Sequence, residues 1–242
     1  ARNGRHPSVK EQLIIGGRGP NDGRHNPSVK VESVRVYNFV LAQGDVSGLY
    51  GSYKPSNPLK LDLRAMDYSG KGTTWKARVG PSARLYGNPK FNKAEGSLFF
   101  DSRSQWASVP LNTDGHDMPK VTYSLWAKLE KPIPGNNLGW VMSQFPDQGW
   151  SRSITLSDGR LSRTRGVSIT YGGGWRNNLP RPPVKQWFHV VATYSQDSQS
   201  CTFLNGRAGG CVRARNGRHP SRKEKLILGG RGPNDSRHNP SV

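Results

Sequence analysis

The sequence predicts an all-β protein in which two antiparallel sheets pack face to face. Three observations predict it. The 242 residues include 29 Gly and 18 Pro, and Asn, Asp and Ser recur between short apolar runs. That is the texture of many short strands joined by turns. Apolar side chains alternate with period 2. In "KVTYSLWAKLE" (120–130), Val121, Tyr123, Leu125, Ala127 and Leu129 alternate with Thr122, Ser124, Trp126 and Lys128, as in a strand with one buried face. Nowhere does an apolar 3.6-residue period persist long enough to predict a substantial helix.

Taken in order, the expected strands are "VESVRVYNFVL" (31–41), "NPLKLDLRA" (57–65), "EGSLFFDS" (95–102), "QWASVPL" (105–111) and "KVTYSLWAKLE" (120–130). They continue with "LGWVMSQF" (138–145), "SITLSD" (153–158), "GVSITYG" (166–172), "QWFHVVATYS" (186–195) and "SCTFLNG" (200–206). Each is a short run bounded by Gly, Pro, Asn, Asp or Ser. In 186–195, Phe188, Val190, Ala192 and Tyr194 stand against Trp187, His189, Val191 and Thr193. Trp126 and Trp187 are expected in or beside the core. Such strands at short spacing suggest a two-sheet sandwich. "TYGGGW" (170–175) reads as a loop or bulge; it opens no helix that could cradle a phosphate.

Cys201 and Cys211 flank Asn205-Gly206, a strong two-residue hairpin signal. Cys201 lies four residues before Asn205 and Cys211 five after Gly206, so the two stand close to opposite one another on antiparallel strands. A cross-strand disulfide is expected, with two reduced thiols as the alternative. A disulfide implies an oxidising, secreted, extracellular setting. No stretch approaches the roughly 20 apolar residues of a membrane-spanning helix.

The chain also repeats itself. Residues 1–29 return at 214–242 at an offset of 213, with four differences: Val9/Arg222, Gln12/Lys225, Ile15/Leu228 and Gly23/Ser236. Several blocks then carry a resemblance: "LKLDLRAMDYSGKGTTW", "AEGSLFFDSRSQWASVP", "VTYSLWAKLEKP", "QWFHVVATYSQDSQSCTFLNGRAGG", "EKLILGGRG" and "VESVRVYNFVL". Together they resemble the laminin-G-like family. The resemblance implies a concanavalin A-like jelly roll. In that family the last block follows the "LILGGRG" block, whereas here it stands at 31–38. The chain therefore looks like a window on a tandem array. On this reading 1–46 is the tail of one repeat, and 47–242 is a jelly roll without its own closing strand. A circular permutant with a duplicated seam is the alternative. Either way 31–41 is expected to fill the missing position, in its own domain or by strand donation to another copy of the chain.

Catalytic signatures are sparse. The five glutamates (11, 32, 95, 130 and 224) lie far apart in sequence, unlike the paired carboxylates of glycoside hydrolases. His189 sits inside an apolar strand and reads as a hydrogen-bonded sheet residue. No cofactor is expected. Asp114 and Asp117 in "TDGHDM" are weak calcium candidates, since calcium takes six to eight oxygens. The expectation is a protein that is not an enzyme.

Charge points instead to a partner. The formal net charge is +20, a field that attracts polyanions. The duplicated segment supplies Arg2, Arg5, His6, Arg18, Arg24 and His25, and then Arg215, Arg218, His219, Arg222, Lys223, Lys225, Arg231, Arg237 and His238. Arg160, Arg163 and Arg165 form a second run. Guanidinium groups on Gly- and Pro-rich turns are suited to sulfate, phosphate, carboxylate or silanolate. The expected partner is an acidic or sulfated polysaccharide or a mineral such as silica. Zinc-finger spacings, RNP motifs and basic recognition helices are lacking, so nucleic acid is the weaker candidate. Two functions follow: a secreted matrix protein that self-assembles on a polyanionic material, or a lectin-like module for a discrete glycan.

Overall fold

A computed structural model describes residues 13–15, 28–50, 59–101, 105–113, 118–133, 138–145, 152–158, 165–171, 174–176, 179–195, 199–213 and 225–228. The first strands are β1 (Leu13–Ile15), β2 (Ser28–Tyr37), β3 (Leu59–Arg64), β4 (Thr74–Trp75), β5 (Ala77–Val79) and β6 (Ala83–Tyr86). Next come β7 (Lys90–Asn92), β8 (Ser97–Asp101), β9 (Trp106–Val109), β10 (Lys120–Leu129), β11 (Leu138–Phe145) and β12 (Ser153–Asp158). The last are β13 (Arg165–Tyr171), β14 (Gly174–Arg176), β15 (Trp187–Ser195), β16 (Gln199–Leu204), β17 (Arg207–Arg213) and β18 (Lys225–Leu228). One helix, α1 (Gln43–Tyr50), and a 3₁₀ turn at Ala65–Asp67 complete the described elements.

The strands form two antiparallel sheets. The first runs β14-β13-β12-β11-β1-β9-β6-β4. The second runs β17-β16-β15-β10-β2-β3-β5, with β8 on the other half of β2 and β7 beyond β8. Period-2 alternation builds the core between them. Across nine registered pairs from Lys120↔Ser195 to Lys128↔Trp187, Val121, Tyr123, Leu125 and Ala127 face inward with Phe188, Val190, Ala192 and Tyr194, all fully buried. Trp126 and Trp187 point the other way and are half-buried on the outer face, beside the sheet rather than in the core. On β2 the alternation breaks at Glu32, where the register with β10 shifts between Trp126 and Ala127. This bulge lets both Val29/Val31 and Val34/Val36 face the core.

Strand β2 pairs with β10 and β3 of its own chain. After it, the chain crosses the outer face of the second sheet. There α1 buries Val46 and Leu49 against Tyr37, Leu41, Val191 and Phe203. The helix docks through Gln43, whose Nε2 donates to Gly206 O at 2.7 Å. The boundary expected at 46/47 falls inside this helix. Two glycines in eight residues give it low intrinsic propensity, and its Val46/Leu49 pair is too short a pattern to stand out in the sequence.

Asn205 and Gly206 both adopt positive φ (50° and 77°) and join Leu204 to Arg207 as a two-residue hairpin, as their sequence predicts. Within the expected loop or bulge at 170–175, the described residues pair, Thr170 with Trp175 and Tyr171 with Gly174. Strands β1, β4–β7, β14 and β18 have no counterpart among the expected ones. With two to four residues each, they are too short to show alternation.

The two sequence copies meet at one place. Ile14 of β1 and Ile227 of β18, equivalent at the 213-residue offset, both pair with Ser143 of β11 and Ser108 of β9.

Candidate functional site

The edge where β4, β5 and β7 lie collects positive charge that has no acidic partner among the described residues. Strand β4 ends the first sheet, and β5 and β7 line one side of the second. Only Lys76 separates β4 from β5, so the chain passes from sheet to sheet at that edge. Gly80 makes the next turn possible. Its φ is +78°, and a Cβ there would lie 2.2 Å from Lys60 O, so only glycine lets this turn press on β3.

Residues 71–93, "KGTTWKARVGPSARLYGNPKFNK", hold six Lys and Arg and no Asp or Glu. Arg78 is held by Asp67 through Nε–Oδ2 and Nη2–Oδ1 contacts of 2.6 and 2.9 Å. The guanidinium keeps the Asp67 carboxyl below the usual carboxylate range. Lys71, Lys76, Arg84, Lys90 and Lys93 are exposed and have no acidic partner among the described residues. Arg84 lies over the Tyr86 ring at 5.2 Å. Tyr86 in turn stacks on Trp106 at 3.7 Å between centroids. The edge thus joins five cations that have no acidic partner among the described residues to an aromatic stack on the outer face of the first sheet.

On the outer face of the second sheet, by contrast, Lys30, Lys128, Arg35 and Arg64 are paired with acids. Lys128 and Lys30 bind Glu95 at 2.6 and 2.7 Å, and Lys30 also lies 3.1 Å from Glu130. Asp62 takes Arg64 at 2.8 Å and Arg35 at 3.5 Å. These contacts hold Glu95 down to about 2, chiefly through the hydrogen bonds from Lys128 and then Lys30. Nearby, Tyr50 stacks on Trp126, and Trp126 on His189. His189 is buried, and its Nε2 lies 2.9 Å from Ser124 Oγ, the hydrogen-bonded sheet residue its sequence suggests. Burial, and secondarily the Arg35 charge, lowers its imidazole to about 4.

Of the basic residues singled out in the sequence, most lie outside the described residues: Arg2, Arg5, His6, Arg18, Arg24, His25, Arg160, Arg163, Arg215, Arg218, His219, Arg222, Lys223, Arg231, Arg237 and His238. Arg165 opens β13 and Lys225 opens β18. Asp114 and Asp117 also lie outside the described residues. The residues on either side of their loop are tied by buried Arg152, whose Nη1 donates to Thr113 O at 2.9 Å and Met118 O at 2.7 Å. Cys201 and Cys211 stand opposite each other and are bridged, with Cα atoms 4.1 Å apart.

Compared with known proteins, the chain matches no family model, no curated protein and no solved structure. The site is therefore read from its own chemistry. The cations of 71–93 are not among the basic residues that the conspicuous duplicated ends bring to notice. The signal was present there as a run of 23 residues with cations and no acid. What could not be read was that this run lines one edge.

Proposed function

We propose that this chain is a non-catalytic, secreted matrix module of laminin-G-like, jelly-roll type that binds an acidic or sulfated polysaccharide or a mineral such as silica, and assembles with copies of itself. The observation that carries the polyanion reading is the contrast between the two charged regions. Lys30, Lys128, Arg35 and Arg64 on the outer face of the second sheet are paired with Glu95, Glu130 and Asp62, whereas five cations at the β4/β5/β7 edge have no acidic partner among the described residues. An anionic polymer along that edge replaces water around cations without breaking an ion pair. Lysines on an edge also discourage strand addition, so the same side chains have a structural use.

The test compares heparin-column elution and silica precipitation for the native chain and for Lys71→Gln/Lys76→Gln/Arg84→Gln/Lys90→Gln/Lys93→Gln. The expected result is elution at distinctly lower salt for the variant, since exposed ionic contacts are screened. If elution is unchanged while oligomerisation rises, the edge cations are protective only and the polyanion reading of this edge fails. A lectin-like second reading has its own support in the Arg84–Tyr86–Trp106 stack, an amphipathic surface with a polar handle. Binding of a neutral glycan that survives high salt and is lost in Trp106→Ala favours it.

A further inference from the structure

The structure gives one sheet position two occupants. Strand β9 has two edges, and β6 takes one of them through Arg84↔Ser108. Strand β11 also has two, and β12 takes one. The position left between β9 and β11 is assigned to β1 and, at the same register, to β18. Neighbouring strands lie about 4.8 Å apart, so one gap in a sheet admits one backbone. The two copies exclude each other there.

We infer that this gap is an exchange site, taking the repeated strand from either end of its own chain or from a second copy of the chain. The copies compete on nearly equal terms. Among residues 13–15 and their equivalents 226–228, only Ile15/Leu228 differs, one branched apolar residue for another, and the ladder partners are the same. Sequence therefore gives little preference, and the choice falls to chain connectivity and concentration. Among the described residues the chain carries two copies of the strand and one gap for them, so only one copy is seated at a time. The other copy can enter the gap of another molecule while the resident strand leaves, each ladder hydrogen bond being exchanged rather than first lost. Exchange of an identical element is a low-cost route between monomers and assemblies, and strand addition supplies the main-chain bonds. This deepens the self-assembly part of the proposed function and does not depend on the polyanion part.

The test uses cysteine pairs in the full chain, trapped with a short bis-maleimide in polyanion-free buffer. The native chain offers no competing free thiol among the described residues, since Cys201 and Cys211 are bridged. Ser143→Cys/Ile14→Cys and Ser143→Cys/Ile227→Cys are each expected to give an intramolecular product, and Ile14→Pro is expected to raise the yield of the second. Mixing Ser143→Cys with Ile227→Cys chains is expected to give a cross-linked heterodimer whose share grows with concentration. The proposal is overturned if only one copy ever reaches position 143, or if no heterodimer forms at any concentration. Should a Ser143 variant not fold, exchange of a biotinylated 222–233 peptide into the native full chain is measured instead; no uptake above that of a scrambled peptide overturns the proposal equally. Failure here leaves heparin elution untouched, and failure of heparin binding leaves exchange untouched.

Discussion

Lys128 Nζ donates to Glu95 Oε1 at 2.6 Å, tying a central strand of the second sheet to the turn between β7 and β8. Lys30 reaches the other carboxylate oxygen at 2.7 Å, so one acid holds two strands. The pair matters for stability because Glu95 is depressed from 4.5 to about 2. A carboxylate lowered on folding adds stability that is complete above its unfolded value and is lost as the pH falls through the folded one. Glu95→Gln is therefore expected to cost about 1 kcal/mol at pH 7, discounted for solvent screening of a partly exposed group. Denaturant titrations should show that cost shrinking between pH 4.5 and 2; a cost independent of pH would refute the ionic account.

The buried imidazole acts in the same direction at higher pH. His189 falls from 6.5 to about 4 on folding, so the unfolded chain binds its proton first. Stability is complete above pH 6.5 and declines as the pH drops toward 4, by up to about 3 kcal/mol from this group. An NMR titration of the native protein should place the His189 midpoint near 4. A midpoint near 6.5 would mean the ring is solvated.

The Cys201–Cys211 bridge closes a short hairpin, with a sequence separation of 10. Cys201→Ser/Cys211→Ser is expected to cost about 2 kcal/mol, less than for a bridge closing a long loop. The loss should appear as a lower denaturant midpoint with the far-ultraviolet spectrum unchanged. Collapse of the whole fold would show that the hairpin is not peripheral.

Trp75 is the largest fully buried side chain among the described residues, and its Nε1 donates to Arg64 O at 2.7 Å. Trp75→Ala is expected to cost about 3–5 kcal/mol. Gly80→Ala should cost more than about 1 kcal/mol, because positive φ and the Lys60 carbonyl leave no room for a methyl group. If Gly80→Ala is as stable as the native chain, the turn after β5 is arranged differently.

Much of the architecture was legible in the sequence because it is local. Alternation over 120–130 and 187–195 marks strands and their buried faces, and Asn205-Gly206 marks a hairpin, in which a register shift between Thr202 and Phe203 brings Cys201 opposite Cys211. The spacing of the valines in β2 survives in the fold only because a bulge absorbs Glu32, a detail set by the partner strand. The candidate site was less legible. The acid-free run at 71–93 can be counted from the sequence, but its short strands carry too few residues to declare themselves, and charge patterning alone does not say which cations keep their charge free.

The sequence by itself determined the all-β class, the basic excess, the nearness of Cys201 to Cys211 across a hairpin and the return of residues 1–29 at 214–242. Only the tertiary structure decided which charges cancel and where the copies compete. Glu95 finds Lys128 and Lys30 across 33 and 65 residues of chain, and Ile14 and Ile227 converge on Ser143 from opposite ends. The physical reason is range. A period-2 pattern is written in consecutive residues, whereas an ion pair or a shared sheet position requires knowing which strands are neighbours, and that is settled only when the two sheets close on their common core.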